Sequence, residues 1–492
     1  MPAAIGAAVI GGEIGLGGLA GASLFGIGAE TLVGYGVLGI GITGLQYVAQ
    51  ALQGGEKKND AQVTVRQPVA PRSRVLGQAI MGGVIFAFDT MKYDNPDYDK
   101  AKILYRGAIH CVGPVTILQY FLGDIKTSLP SGPGGIVPDS AYQGKVVIEG
   151  FSGAEDQPVS ASLMHLPYWN DSMRLKGLCY SVVVATPLKK GTEVFPEGAP
   201  DVRLLVAGAP SYDPRTGGYA YTDNAAILLL DYLMHDSGYG LALSEINLQS
   251  FSDLANVCDQ PVALIAPDPN GATSEPRYRS WGSYNYSEQR ADVLARLLAA
   301  CDGEIYPDKD GLVAVRGGRW QAPTFTIDES MILGWEQFEE GDEAYATFTR
   351  IKHTYTSPWH DYQPTEGDPW DDLTSQATQG VIETEKSFVR APSHSQSRRL
   401  AKIAMAKGNA RFRLTGLRLS PAGLPAYGEP TVRLVLPSFG IDTTFAIMRG
   451  TLAMAGNALT SVKLDLISLD ASAYAWDPAE EGQRPPLPDT YN

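Results

Sequence analysis

Short β-branched runs, each closed by glycine or proline, set the tightest limit on what this chain can fold into. "LKGLCYSVVVATPL" (Leu175–Leu188) has the length and branching of a strand inside a sheet, and "ATFTRIKHTYT" (Ala346–Thr356) alternates as a half-buried strand does. The 54 glycines and 33 prolines supply turns between such runs, and close strand spacing of this kind predicts barrels or sandwiches. The grammar changes at Tyr221. "TDNAAILLLDYLMHD" predicts a helix capped by Asp223 or Asn224, and "LSEINLQSFSDLANVCDQ" a second with Ser244 as its cap. "SEQRADVLARLLAACDG" predicts a third, ending on Gly303, followed by a hairpin that turns at Asp310-Gly311. Leu228, Leu229, Leu233, Leu294, Leu297 and Leu298 recur at helical spacing and are the expected core of this insert. Strands return from Gly334, broken by "SQSRRLAKIAMAKGNA", which reads as an amphipathic helix with a charged outer face.

In front of this body lies a different material. From Gly6 to Leu45 the chain is apolar and glycine-rich, with Glu13 and Glu30 its only charges. No Lys or Arg precedes Lys57, so the basic region of a secretory signal is missing. "GLGGLAG" superficially resembles a dinucleotide loop, but the glycines continue at near-random spacing to Gly44, so no single turn is singled out. A membrane span over Ile5–Phe25 would hold Glu13 near mid-bilayer, where an ionised carboxylate costs about 2.5–3.5 kcal/mol. Small residues four apart, Gly11 with Gly15 and Gly17 with Gly21, instead favour close helix–helix approach in a bundle of several copies. Gln53–Gln62 follows as a polar linker.

The net charge of −15 disfavours a protein that grips nucleic acid by its phosphates. Four dispersed cysteines without a CxxC pair argue against a zinc site or a disulfide framework, leaving free thiols. Asp213, Asp223, Asp231 and Asp236 lack the spacing of a calcium loop and read as turn and cap residues. The acidic runs "DPWDDL" and "EQFEEGDE" read as solvated faces, and no nucleophile or phosphate-loop motif is found. The residues therefore predict a β-rich scaffold with a helical insert and no cofactor, rather than an enzyme.

"FPEGAPDVRLLVAGAPSYDPRTG" (Phe195–Gly217), "YTDNAAILLLDYLMHDSGYGL", "VCDQPV", "EPRYRSWGSYNYSEQRADVLARLLAACDGEIYPDKDGLVAVRGG" and "DEAYATFTRIKHTYTSP" follow one another in an order that resembles the tip attachment protein J family, the central tail hub of lambda-like siphophages. The resemblance spans roughly Val63–Leu469 and rests on Tyr212, Asp213, Pro214, Arg215, Asp223, Asn224, Tyr239, Gly240, Cys258 and Asp259.

It implies a mixed α+β, β-rich tail-hub fold with two tube-like β-barrel domains and smaller inserts. On this reading residues 1–53 are the apolar segment, 54–62 a linker, 63–210 a first hub domain with its insert, 211–333 a helical and hairpin insert, 334–476 a second hub domain and 477–492 a flexible tail. The implied function is a homotrimer at the tail tip of a virion, made in the bacterial host cytoplasm. It would meet a distal tail protein, the tape measure protein and fibre proteins, with DNA passing transiently through the lumen during genome ejection into the host. The family's long receptor-binding extension is not seen after the hub portion, which implies a separate fibre. Three copies of the head, with Gly11, Gly15, Gly17, Gly21 and Phe25, would plug the axis or enter a host membrane. The alternative is a membrane-active or peptidoglycan-degrading penetration protein with Asp223 and Asp231 as its carboxylates. Their separation of roughly 12 Å along one helix disfavours a glycosidase pair.

Overall fold

The computed structural model describes residues 71–94, 102–123, 125–127, 134–137, 142–187, 195, 201–308, 310–341, 346–455 and 458–488, with one two-rung pairing of Ser23–Leu24 and Ile27–Gly28. The expected roles of Gly11, Gly15, Gly17, Gly21 and Phe25 and of the linker fall outside the described residues. What is described is β-rich with helices.

Two sheets built from residues 78–207 face each other. One has five strands, in the spatial order Val84–Lys92, Lys102–Val112, Leu178–Ala185, Val146–Ser152, Gly134–Ile136. The other has four, ordered Gln78–Met81, Val202–Ala207, Thr116–Leu122, Ile125–Thr127. Val146, Ile148 and Val183 of the first meet Leu122, Leu204 and Val206 of the second in one core. The outer face of the five-stranded sheet carries Phe151 stacked on Tyr180 at 4.2 Å, roofed by Leu163 and Leu166.

Helices α1 (Ala225–Met234), α2 (Leu248–Cys258) and α3 (Arg290–Ala299) pack with the hairpin Gly303–Pro307/Val313–Gly317. All six leucines predicted as the insert's core are buried there. Two caps differ from expectation. Asn247, not Ser244, starts α2, accepting from the Ser250 N–H at 3.1 Å; Ser244 sits in a preceding 3-10 turn. After α3 it is Asp302, not Gly303, that turns left-handed (φ 49°), and Gly303 already opens the hairpin strand. A short polar side chain tolerates that conformation, and Asp302 also gains an ion pair described below.

The insert is tied back to the first sheets through one bend. Ser73–Leu76 pairs with Gly282–Asn285 of the insert, whereas Gln78–Met81 pairs with Leu204–Ala207. Gly77 joins the two at φ 71°, and a Cβ there would lie 2.3 Å from the Ser280 carbonyl oxygen. Only glycine permits both the angle and the approach.

The last sheet has seven strands drawn from Thr326–Ser468. Its edge strands Thr326–Asp328 and Ile332–Gly334 are joined by the single turn Glu329–Met331, so the sheet curls around its own core of Leu414, Leu434, Phe445 and Leu464. A four-stranded sheet about Arg350–Ser357 flanks it. Against that strand lies the long helix α5 (His394–Gly408), while α4 (Leu373–Gln379) follows the paired strand Trp370–Asp371 and its Gln376 donates to the Thr349 carbonyl.

Candidate functional site: two ion-paired networks on one seam

Most motif residues converge on the N-terminus of α1 and the C-terminus of α2, whereas Tyr239 and Gly240 lie past the other end of α1. Asn224 caps α1, its Oδ1 accepting from the Ala226 and Ile227 N–H groups at 3.0 and 3.3 Å. Its Nδ2 donates to the Ala255 carbonyl and to Asp259 Oδ1, at 2.9 and 2.8 Å. Asp259 also takes Arg215 Nη1 at 2.7 Å, and Arg215 forks onto Asp213 within the turn that contains Pro214. Arg215 holds the Asp213 carboxyl below its ordinary value. Tyr212 packs on Tyr219, and Tyr239 stands edge-on to Tyr232. Gly240 turns at φ 66° where its N–H meets the His235 carbonyl. Cys258 is buried beneath the network.

The two aspartates weighed as catalytic have structural partners. Asp223 accepts from Trp281 Nε1 at 3.1 Å, and Asp231 is paired with Arg74 from the first strand. Burial alone would lower the Arg74 pKa, but the Asp231 hydrogen bond and charge raise it above its usual value. Among the described residues no group of three or more His, Cys, Asp or Glu side chains could hold a metal ion.

A second network, not foreseen in the sequence, surrounds α5. The expected charged outer face is overturned: Arg398, Arg399 and Lys407 are buried, as are His394, Ser395, Gln396 and Ser397. Arg399 Nη2 donates to Glu275 Oε1 at 3.1 Å and to the Arg277 carbonyl at 2.7 Å. Glu275 also takes the hydroxyl of Ser393, the α5 cap. Lys407 pairs with Asp302 at 2.6 Å, and Tyr474 donates to the other oxygen of that carboxylate. Gln396 donates to the Arg279 and Ala300 carbonyls and accepts from the Arg279 N–H, using its amide at both ends. Charges so deeply placed need partners, and these have them. The signal in the sequence was the small residues on all sides of α5, Ser393, Ser395, Ser397, Ala401, Ala404 and Ala406, which let neighbours close in around it.

Two further expectations change. "DPWDDL" is not a free acidic face. Asp371 takes Arg350 at 2.6 Å, Asp372 caps α4, and Arg398 reaches the Asp368 carbonyl at 2.8 Å. "EQFEEGDE" does expose Glu336 and Glu340, in surface pairs with Lys463 and Arg411. The tail expected to be flexible is seated through residue 488. Glu481 is fully buried, accepting from the Ile265 N–H at 3.0 Å and from Arg484, which in turn donates to the Pro267 carbonyl. Burial alone would raise the Glu481 pKa, but hydrogen bonds with His394, Arg484 and the Ile265 N–H hold it at about 2.

Both networks share the stretch Glu275–Trp281. Arg279 lies 3.5 Å from Glu275, 4.0 Å from Asp223 and over the Trp281 ring. The arrangement is a clamp: it fixes the hairpin turn, the insert, α5 and the C-terminal segment to one another.

No protein-family model matches the chain, and no curated protein matches it by sequence. Among solved structures, it is similar to a chain of the virion of a native gene transfer agent particle, with 14% identity and a TM-score of 0.60, covering 96% of this chain and 98% of that one. Fainter likenesses are to a tail protein from Neisseria meningitidis MC58 (12% identity, TM-score 0.31, 81% and 98% covered) and to the 43 kDa tail protein of prophage MuSo2 from Shewanella oneidensis (9%, 0.28, 84% and 99%). At such identities a shared fold is what the gene transfer agent match establishes, and it runs nearly end to end in both chains.

Proposed function

We propose that the chain is a structural virion protein, the central hub at the tip of a tail, acting as a homotrimer of the tip attachment protein J type. The observation that carries this reading is the end-to-end match to a virion chain. The seven-stranded sheet that curls on its own core supports one of the two tube-like domains, and the facing pair of sheets in residues 78–207 supports the other. Three copies triple a charge of −15, and an acidic lumen repels DNA that must slide past it. The distal tail protein, the tape measure protein and a fibre are the proposed neighbours.

The test is direct. Mass photometry of the purified chain should give a three-copy species, and cryo-electron microscopy of particles should place three copies on the axis at the tail tip. A monodisperse monomer absent from particles overturns the reading. The penetration-enzyme alternative is decided by a zymogram on cell-wall material: clearing by the wild type that disappears in Asp223→Asn would replace the structural role with a catalytic one.

A further inference from the structure

The four cysteines are far apart in the sequence, yet the fold brings them together two by two. Cys111 and Cys179 are direct cross-strand partners on adjacent antiparallel strands, at the end where Gly113 N–H meets the Gly177 carbonyl. Cys258 ends α2, Cys301 follows α3, both lie in one buried cluster, and in each pair the neighbouring thiol bears directly on its partner's ionisation. All four are free and buried, at 0–2% exposure.

The geometry also suits a bond. Directly opposed residues of an antiparallel pair have Cα atoms about 4.5–5.5 Å apart, inside the range of roughly 4.4–6.8 Å that a disulfide spans. Both pairs sit among apolar neighbours, Cys111 and Cys179 with Val115, Val146 and Val206, Cys258 and Cys301 with Leu254, Leu297 and Val315. Each junction is one a cross-link would hold: two neighbouring strands of the first sheet, and the C-terminal ends of two helices that share one core.

We propose that Cys111–Cys179 and Cys258–Cys301 are two disulfide sites, closed by thiol–disulfide exchange when the folded chain meets a low-molecular-weight disulfide. One cysteine gives its proton to solvent and its thiolate attacks the small disulfide, forming a mixed disulfide and expelling one small thiolate. The second cysteine, likewise deprotonated, attacks the protein sulfur of that mixed disulfide and expels the other. Two protein thiols are oxidised and one small disulfide is reduced to two thiols. The neighbouring thiol and burial push the Cys179 pKa well up, as they do for Cys301, so each pair stays protonated in a reducing compartment and closes slowly, through local opening. This inference stands on the positions of the sulfurs and is independent of the tail-hub reading.

The test uses the full chain, purified with a reductant, then held with oxidised glutathione at pH 8.5, with and without urea below the unfolding midpoint. After quenching and denaturation, alkylation should fall from four thiols to none. Non-reducing peptide mapping should recover 111–179 and 258–301 links, with a rise in melting temperature on the order of 5 °C. Cys258→Ser should lose its own link and keep the other. Four alkylatable thiols under every condition, glutathione adducts without cross-links, or links between the two pairs would each overturn the proposal; the wild-type map decides this even where a variant fails to fold.

Discussion

The network around Arg215 and the network around Arg399 use the same chemistry at different depths. The Arg215 guanidinium is 25% exposed and its acceptor Asp259 48%; the Arg399 side chain is 3% exposed and Glu275 7%. Water can reach the Arg215 contacts of the first but not the Arg399–Glu275 contact of the second. An exposed ion pair contributes about 0–1 kcal/mol, whereas removing one member of a buried pair costs about 3–5 kcal/mol because the other is left charged and unsolvated. Arg215, Asn224 and Asp259, on which the resemblance rests, therefore lie in the energetically lighter network. The heavier one joins Glu275 and Asp302, inside the resembling segments, to Arg399 and Lys407, outside them.

The comparison breaks most sharply at Arg399. Arg399→Ala should cost about 3–5 kcal/mol in urea unfolding, leaving Glu275 buried with only the Ser393 hydroxyl and the more distant Arg279. The paired change Arg399→Met with Glu275→Gln removes both charges and should recover much of that loss. If Arg399→Ala alone unfolds at the wild-type midpoint, α5 is not the clamp described here.

Acid separates the two networks without mutation. His353 is fully buried, and burial, with the nearby His394, lowers its pKa to about 3; burial likewise lowers that of His110 to about 4. Both values lie below the ordinary 6.5, so the unfolded chain takes up protons first as pH falls. The stability these rings allow is complete above pH 6.5 and is lost progressively below it, by about 1–2 kcal/mol per histidine at pH 5. The Asp213 carboxyl, held below 3.8 by Arg215, is still ionised at pH 5, so the surface network is untouched there. Urea midpoints at pH 7.5 and 5 should therefore fall in the wild type. The fall should be smaller in His353→Gln, which keeps a donor toward the Asp368 carbonyl that His353 Nε2 meets at 2.8 Å, while His110 and His235, also lowered by burial, keep their shares. An equal fall in both would remove His353 from the account.

The parts of this molecule that could be read from residue order are those whose signals are local. Asn224 before an apolar run announces α1, and Asp310-Gly311 between alternating strands announces a hairpin. Ser244 misled because Asn247, three residues on, offers an equally good cap nearer the apolar face of α2. α5 misled more deeply. Arg398, Arg399 and Lys407 look like a solvent face until partners from Glu275, Asp302 and the segment around Glu480 surround them, and none of those lies nearby in sequence. Gly77 shows the same limit, since nothing around "VLGQAIM" reveals that one apparent strand serves two sheets. Ion pairs, cysteine pairs and strand exchange depend on distant residues, and pattern along a chain records only near ones.

The smallest effect belongs to the motif itself and is the finest test of the contrast. Arg215→Ala removes the forked contact to Asp213 and the bond to Asp259, both within reach of water, so it should cost about 0–1 kcal/mol. Asn224→Ala removes a cap whose acceptors and donors are buried, and should cost about 1 kcal/mol and at most 2. Asp259 receives both side chains, Asn224 on Oδ1 and Arg215 on Oδ2, so the two losses should not simply add. A double-mutant cycle read by urea unfolding should give a coupling of about 0.5 kcal/mol, shrinking in 1 M salt as the exposed Arg215 arm is screened. A coupling of 3 kcal/mol or more, insensitive to salt, would mean that this network is as sealed as the one around Arg399 and that the division between a light and a heavy network fails.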